Sequence, residues 1–204
     1  MYMKKKNFGL MTVICGPMFS GKTEELIRRI RRAAYGNKKI VVLKHAFDDR
    51  YQKEFIVSHA GDKIECRYIK QVEEAKEYID ADTEVVFVDE VQFFDPSIII
   101  FLTSLRDKAI DIVAAGLDLD FRGIPFGPIP ELLALADEVL KLKAVCFQTG
   151  ADAQYSQRLI NGKPAKHTDP IVLVAATDCY EARSRERFEI DYVPLKEYLN
   201  QKLR

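Results

Sequence analysis

Eight consecutive residues near the amino terminus have the types and spacing of a phosphate-binding loop. They are Gly16, Pro17, Met18, Phe19, Ser20, Gly21, Lys22 and Thr23, and they match the pattern G-x-x-x-x-G-K-[ST]. Glycines let the backbone turn tightly, so that successive N–H groups point at phosphate oxygens. In this pattern the lysine reaches the β- and γ-phosphates, and the final hydroxyl ligates Mg²⁺. The segment therefore predicts a bound nucleoside triphosphate, with Thr23 as a magnesium ligand.

Two acidic residues follow a hydrophobic run later in the chain. Residues 84–88 read Glu-Val-Val-Phe-Val, and Asp89 and Glu90 come directly after them. An acidic residue at the end of a buried strand predicts a second Mg²⁺ ligand, here Asp89. Glu90 is then placed where a carboxylate could act as general base. Alone, the pair is equally consistent with a strand end entering a loop. Together with the phosphate-binding loop, it indicates phosphoryl transfer.

The elements that must position these residues alternate along the chain. Residues 10–15 are a short apolar run that predicts a buried strand, and the loop is followed by an amphipathic helix that stops at Gly36. Further strands are predicted at 39–44, 84–88, 111–115 and 138–143, weaker ones at 55–58 and 63–68, and helices at 72–79, 95–108 and 129–136. Asp95 is the expected N-cap of its helix, with Pro96 in the first turn. This alternation predicts an α/β fold, a parallel sheet flanked by helices.

The alternation ends near residue 143. From there to residue 192 the chain is polar and rich in turns, with β-like runs at 157–160 and 171–175, and a terminal helix is predicted over 194–203. We therefore predict a nucleotide-binding kinase domain over residues 1–142, a small appended subdomain over 143–192 and a C-terminal helix over 193–204.

The composition limits the classes of protein that this chain can belong to. It has 204 residues, 48% hydrophobic and 30% charged, and 31 residues of each sign give a net charge of zero. These values are typical of an ordinary globular protein, and they argue against nucleic acid as a partner. No apolar run approaches the ~20 residues that span a bilayer, and the basic start is not followed by the apolar segment of a signal peptide. We expect a cytoplasmic protein without a membrane partner.

Cysteines, histidines and a run of arginines support only structural interpretations. The cysteines are scattered without a pairing pattern, so no disulfide framework is predicted. The histidines show no metal-ligand spacing among themselves. The arginines of the first predicted helix are expected to form its solvated face. These residues are Cys15, Cys66, Cys146 and Cys179; His45, His59 and His167; and Arg28, Arg29, Arg31 and Arg32.

Several motifs taken together resemble the type II thymidine kinases. The phosphate-binding loop resembles the loop of that family, and Asp-Glu-Val-Gln-Phe-Phe at 89–94 resembles its second motif. Further similar segments are Lys44 with Asp-Asp-Arg-Tyr at 48–51, Ser-His at 58–59, Gly-Leu-Asp-Leu-Asp-Phe at 116–121, Pro-Phe at 125–126 and Lys-Ala-Val-Cys at 143–146. The resemblance runs in order from about residue 9 to residue 192. It implies a RecA-like P-loop NTPase fold.

The resemblance also implies an activity: transfer of the γ-phosphoryl group of ATP to the 5′-hydroxyl of thymidine, for nucleoside salvage. By resemblance, Glu90 is the base that accepts the hydroxyl proton, and Lys22 and Arg50 act near the phosphates. Asp89 and Gln92 lie close to the nucleotide. The implied cofactors are ATP and Mg²⁺.

The implied nucleoside site uses three further side chains. By resemblance, Phe121 stacks on thymine, Met18 lines the pocket around the C5-methyl group, and Tyr180 closes over the nucleoside. Without the resemblance, ordinary core packing would be the preferred interpretation of Phe121 and Met18. The family's second subdomain is a loop called the lasso, which corresponds to residues 143–192 here. The resemblance also implies a homotetramer and allows feedback by the end product dTTP.

One part of the family pattern is missing. The family's lasso is held by zinc on two C-x-x-[CH] pairs, which here read Cys-Phe-Gln-Thr at 146–149 and Ser-Arg-Glu-Arg at 184–187. Only Cys146 of the four ligands remains, so we predict no structural zinc. A substitute set of Cys146, Cys179 and His167 is disfavoured, because two of them lie off the family positions.

Other interactions must then stabilise the lasso. The candidates are ion pairs of Arg185 or Arg187 with Glu181, Glu186 or Asp152, packing of Phe147 and Phe188, and contacts between subunits.

Two other functions remain open at this point. The first is a kinase for another deoxynucleoside, such as deoxyuridine. The second is a RecA-like ATPase that acts with nucleic acid, which would hydrolyse ATP without phosphorylating a nucleoside.

Overall fold

The computed structural model describes residues 7–46, 55–57, 63–171, 178–191 and 194–202. The chain divides into two compact units. The first consists of Met1–Cys15, Lys22–Gly116 and Gly127–Leu140, and the second of Gly16–Gly21, Leu117–Phe126 and Lys141–Arg204. The domain boundaries expected at residues 142 and 192 stay predictions.

The first unit is built on a six-stranded sheet. Its elements are β1 (Met11–Cys15), α1 (Lys22–Tyr35), β2 (Ile40–His45), β3 (Phe55–Val57), β4 (Lys63–Glu65), β5 (Arg67–Ile69), α2 (Val72–Ala75), β6 (Val85–Asp89), α3 (Ser97–Asp107), β7 (Asp111–Gly116), α4 (Ile129–Leu135) and β8 (Glu138–Lys141). The strand order of the sheet is β5-β2-β6-β7-β1-β8, and β3 and β4 form a separate antiparallel pair. Parallel pairing joins β5 to β2, β2 to β6, β6 to β7 and β7 to β1. The predicted α/β class, with a parallel sheet flanked by helices, is confirmed.

Two central strands, β1 and β6, are buried along their whole length and are mostly apolar. Every residue of β1 and of β6 is buried, as expected for parallel strands covered on both faces. The core contains side chains from β1, β2, β6 and β7 together with Ile98, Leu102 and Leu105 of α3. Since β7 lies between β1 and β6, the carboxyl ends of these three parallel strands share one edge of the sheet.

Helix α1 follows the phosphate-binding loop and has one buried face. Its buried residues are Leu26, Ile27 and Ile30, and two glutamates in its first turn favour the amino end of the helix dipole. Arg29 does not belong to a solvated face as predicted. It donates two hydrogen bonds to Glu138 of β8, at 2.9 and 3.0 Å, and a third to Glu25 at 2.7 Å. This network ties α1 to the edge strand.

Several element boundaries differ from the predictions for local reasons. Helix α3 begins at Ser97 with Pro96 as its N-cap, so Asp95 is not the N-cap. Asp95 still satisfies the helix end, because its Oδ1 accepts the Ser97 N–H at 2.8 Å. The run predicted over 63–68 is divided between β4 and β5 by the buried Cys66, and α2 is only four residues long.

The second unit is formed by short antiparallel strands. They are β9 (Ala144–Val145), β10 (Asp152–Ala153), β11 (Tyr155–Ile160), β12 (Lys163–Pro164) and β13 (Asp178–Arg183), followed by α5 (Pro194–Lys202). Strand β11 lies between β12 and β13, and β9 pairs with β10. Asn161 and Gly162, both with positive φ, form the turn between β11 and β12. Most of the run predicted over 171–175 lies outside the described residues.

Two further properties follow from the described residues. Cys15, Cys66 and Cys146 are free thiols, and all three are buried. Across the described ranges, no helix has both the length and the hydropathy that a membrane crossing requires.

Candidate functional site

Asp89 ends β6 as a buried carboxylate beside a lysine. It is 3% exposed, and the register of β2 and β6 places it opposite Lys44. Lys44 Nζ lies 3.5 Å from Asp89 Oδ2. Burial raises the pKa of Asp89, the charge of Glu90 raises it further, and the Lys44 ammonium opposes both. Burial alone would lower the pKa of Lys44, but the carboxylates of Asp89 and Glu90 outweigh burial and raise it. The end of β6 is thus a place where negative charge is stabilised by a cation.

This environment also fits Mg²⁺. Asp89 Oδ2 accepts no hydrogen bond from any described residue, although it is fully buried. A buried carboxylate oxygen without a donor is suited to a metal ion. The described residues contain no group of three His, Cys, Asp or Glu side chains that could hold a metal. Mg²⁺ does not need such a group, because it binds through one or two carboxylates together with phosphate oxygens and waters.

Glu90 has an unusual backbone conformation. Its φ and ψ are 56° and 39°, in the left-handed region, where the backbone of a residue other than glycine is strained by about 1–2 kcal/mol. A short 3₁₀ helix, Val91–Phe93, follows it. The Glu90 carbonyl accepts the Phe93 N–H at 3.2 Å, and the Glu90 carboxylate accepts a hydrogen bond from Gln92 Nε2 at 2.6 Å. Strain of this kind persists where the direction of one side chain matters.

The loop before α1 turns with the help of its glycines. Gly16, Phe19 and Gly21 have φ values of 143°, 64° and 82°. A Cβ on Gly16 would lie 2.5 Å from the carbonyl oxygen of Leu142, so no larger residue fits there. The strand, loop and helix that the phosphate-binding pattern requires are therefore all present. The helix amino terminus at Lys22 adds the favourable dipole for an anion.

Within the second unit, the same loop is fixed to β11. The Met18 N–H donates to Ser156 Oγ at 2.9 Å, and Ser20 Oγ donates to the Pro17 carbonyl at 2.8 Å. The Met18 N–H is therefore used inside the protein.

Phe121 lies in a tightly held loop of the second unit. It is 3% exposed, and its ring lies 5.2 Å from the guanidinium of Arg158 and 6.0 Å from that of Arg122. The loop is fixed by Asp120, whose carboxylate accepts the N–H groups of Arg122 at 2.8 Å and of Ile124 at 3.2 Å, and also pairs with the Arg122 guanidinium. Arg158 itself is completely buried and donates to the Pro170 carbonyl at 2.7 Å.

A sequence profile described as thymidine kinase matches residues 9–188. The chain belongs to the thymidine kinase family. The match includes the phosphate-binding loop, Asp89, Glu90 and most of the second unit, so the resemblance seen in the motifs is confirmed. Membership implies a kinase that binds nucleotides, and it implies the use of ATP.

The structure distributes the predicted site residues over the two units. Lys22, Thr23, Asp89, Glu90 and Gln92 belong to the first unit. The charge of Lys22 acts on Asp89 and opposes the rise of its pKa, so these two residues lie within electrostatic reach of each other. The second unit contains the loop residues Gly16–Gly21 together with Phe121 and Tyr180. Arg50 lies outside the described residues. The individual roles stay predictions.

The sequence did not indicate a role for three residues that contact the candidate site or its loops. Lys44 was part of a motif but had no assigned role, although a lysine ending the strand beside β6 is a readable signal. Ser156 and Arg158 also had no assigned role. They lie on β11, where three of the four consecutive buried residues are polar. A strand without alternation between polar and apolar residues does not reveal which side chains it buries.

The positions that hold zinc in the family contain a hydrogen-bonded thiol here. The Thr149 hydroxyl lowers the pKa of Cys146 most, burial opposes it, and backbone N–H groups of Ser184, Gln148 and Thr149 lower it further. The turn that would present a thiolate to a metal is thus present, with a hydroxyl donor beside the sulfur. The absence of zinc itself stays a prediction.

The contacts that stabilise this region differ from the expected ones. The buried Arg183 pairs with Glu181 and donates to the Arg187 carbonyl at 3.4 Å, and Lys143 pairs with Asp152 at 2.7 Å. Of the two aromatic residues expected to pack, only one does. The Phe188 ring stacks on Tyr155 at 4.4 Å between centroids, whereas Phe147 is 76% exposed.

Proposed function

We propose that this kinase transfers the γ-phosphoryl group of ATP to the 5′-hydroxyl of thymidine, giving thymidine monophosphate. The observation that carries the proposal is the fixed Glu90 carboxylate, which follows the buried Asp89 at the end of β6 in a chain of the thymidine kinase family. A strained carboxylate beside a cation-binding one suits a reaction in which a hydroxyl proton leaves as a phosphoryl group arrives.

The phosphate-binding residues would hold the ATP. Backbone N–H groups of the loop and the amino terminus of α1 bind the phosphates, and Lys22 places its charge against the β- and γ-phosphates. Thr23 and Asp89 would hold Mg²⁺, which neutralises charge on the phosphates when it is bound. Arg50 is proposed to act near the transferred group.

Glu90 would take the proton of the 5′-hydroxyl. Its carboxylate is already a hydrogen-bond acceptor and lies on a fixed turn, so the loss of entropy on aligning it with a substrate is small. Since Asp89 faces Lys44 and would hold Mg²⁺, Glu90 is the carboxylate proposed to accept a proton at this end of β6. Gln92 was expected near the nucleotide, and its amide is directed at Glu90.

The base would be bound by Met18, Phe121 and Tyr180. Phe121 is a buried aromatic ring held by its loop, and Tyr180 lies on β13 opposite Arg158. A thymine base is recognised by stacking and by apolar contact with its methyl group. These roles are proposed from the family resemblance.

A panel assay tests the proposal. Purified wild-type chain and Glu90→Gln are given MgATP with thymidine, deoxyuridine or deoxycytidine, and the monophosphates are separated. We expect thymidine monophosphate from the wild type and a loss of turnover by about 10²–10⁴-fold in Glu90→Gln, with ATP binding retained. Phosphorylation of another nucleoside but not of thymidine would contradict the substrate assignment. ATP hydrolysis stimulated by DNA or RNA, with no nucleoside phosphorylated, would instead show a nucleic-acid-dependent ATPase.

The family resemblance supports further proposals about the whole protein. We propose a cytoplasmic homotetramer that acts in nucleoside salvage and binds dTTP as a feedback inhibitor, without nucleic acid or membrane partners. Light scattering after size-exclusion chromatography measures the assembly, and inhibition by added dTTP measures the feedback. A monomer, or turnover unchanged by dTTP, would contradict the corresponding proposal.

A further inference from the structure

Gln92 is the only side chain for which the structure gives a hydrogen bond to the Glu90 carboxylate among the described residues. The distance from Gln92 Nε2 to Glu90 Oε2 is 2.6 Å, which is short for an amide donor and typical of a bond to a charged acceptor. Gln92 is 2% exposed, so its amide is held by its surroundings as well as by this bond. A buried amide fixed in this way limits the directions that the carboxylate can take.

Two glycines make the space that Gln92 occupies. A Cβ on Gly116, the last residue of β7, would lie 2.5 Å from Gln92 Oε1. A Cβ on Gly127 would lie 2.2 Å from the Gln92 carbonyl oxygen, and Gly127 also has φ of 51°. Both distances are shorter than real Cβ contacts. The end of β7 and the approach to α4 therefore leave room for the amide group and the backbone of this one residue.

The backbone of Glu90 makes such support necessary. Glu90 is in the left-handed region, and no side chain caps the 3₁₀ helix that follows it. That helix is held by single-turn hydrogen bonds, Phe93 N–H to Glu90 O at 3.2 Å and Phe94 N–H to Val91 O at 3.3 Å. A strained residue at the start of one short turn has other conformations close in energy, in which its carboxylate would point elsewhere.

We propose that Gln92 is a positioning residue for Glu90, and that it acts through the Glu90 carboxylate and does not bind the nucleotide. The inference deepens the proposed function, on which it rests, by assigning the group that orients the base. Gln92 holds one carboxylate oxygen, and the other oxygen and the remaining lone pairs stay available to accept the hydroxyl proton.

The prediction for single variants separates kcat from KM. In Gln92→Met the side-chain length is kept and the donor is lost, so the carboxylate is no longer held. We expect kcat to fall by about 10- to 100-fold while KM for ATP and for the nucleoside changes less than about threefold. Ile98→Val removes a methyl group from the same core and serves as the control for altered packing. It should leave kcat within about twofold of the wild type.

A double-mutant cycle tests the coupling between the two side chains. Measured in the Glu90→Gln background, Gln92→Met should change kcat by less than about twofold, because the group that Gln92 orients has lost its function. If the kcat loss of the double variant equals the product of the two single kcat losses, the inference is overturned. It is also overturned by a rise in either KM with kcat unchanged, which would make Gln92 a nucleotide-binding residue.

The same cycle separates a failure of the proposed substrate from a failure of the positioning role of Gln92. It is measured with whichever nucleoside the wild-type chain phosphorylates. If that nucleoside is not thymidine, the proposed substrate fails while the coupling is still decided by the cycle. If the wild-type chain phosphorylates no nucleoside, both the proposed function and the inference are overturned.

Discussion

Substitution of Gly127 by alanine should be far more costly than the same change at another glycine with positive φ. Gly127 has φ of 51°, where an alanine is strained by about 1–2 kcal/mol. Its Cβ would also lie 2.2 Å from the Gln92 carbonyl oxygen, which is backbone and cannot rotate away. Forcing atoms into a packed region adds about 1–3 kcal/mol. We expect Gly127→Ala to lower the free energy of unfolding by about 3 kcal/mol.

Gly162 provides the matched control. Its φ is 75°, and a Cβ there would meet nothing within 4 Å, so only the backbone strain remains. We expect Gly162→Ala to cost about 1 kcal/mol. Urea denaturation followed by circular dichroism at one protein concentration gives both values. Equal losses in the two variants would refute the argument that Gly127 makes room for Gln92. A Gly127→Ala chain with unchanged kcat would refute the link to Glu90.

Three other expectations concern the first helix, a buried thiol and metals. Hydrogen bonds from Arg28 and Arg29, opposed by burial, lower the pKa of Glu25 from 4.5 to about 2. Glu25→Gln should therefore cost about 1–2 kcal/mol at pH 7, allowing for solvent screening, and the difference from wild type should shrink as the pH falls from 4.5 towards 2. Urea titrations at several pH values measure this, with the exposed Glu73→Gln as control, and a difference independent of pH would contradict it. Burial raises the pKa of the Cys66 thiol to about 12, so iodoacetamide should label it only after denaturation, and rapid native labelling seen by mass spectrometry would contradict this. EDTA should abolish turnover and added Mg²⁺ restore it, while elemental analysis of protein purified without chelator should find no zinc; about one zinc per chain would contradict that prediction.

The sheet could be predicted from the sequence because its strands are unusually uniform. The strands β1 and β6 are almost continuously apolar, which is the pattern of parallel strands covered on both faces. Parallel pairing of β6 and β1 with β7 brings Asp89 and the end of β1, which precedes the phosphate-binding loop, to one edge of the sheet. The two motifs could thus be read from the sequence, whereas their common edge of the sheet depends on the order of the strands.

The orientation of the side chains at the site could not be predicted in the same way. Nothing in the letters Asp-Glu-Val-Gln indicates that Glu90 is in the left-handed region or that Gln92 reaches back two residues to hold it. The space for Gln92 depends on Gly116 and Gly127, which are distant in sequence. The ion pair of Lys44 with Asp89 likewise depends on the register between β2 and β6.

The second unit was harder to predict because it buries polar residues. Strand β11 has Gln157 and Arg158 fully enclosed, so its pattern does not alternate. Strand β13 was not predicted at all. The exposure of Phe147 and the pair of Arg183 with Glu181 also depend on tertiary contacts, which the sequence pattern does not reveal.

The left-handed backbone of Glu90 lowers the stability of the chain at the position whose carboxylate the proposed reaction uses. Glycine at this position would relieve the strain and stabilise the chain, and asparagine would tolerate the same φ more easily than glutamate does. Either change would also remove the carboxylate. With Glu90 as the proposed base, a library screened only for heat resistance or soluble yield should therefore enrich inactive chains at residue 90. Laboratory evolution of this protein needs a selection for turnover in every round. Without it, the most stable variants would include those that have lost the Glu90 carboxylate.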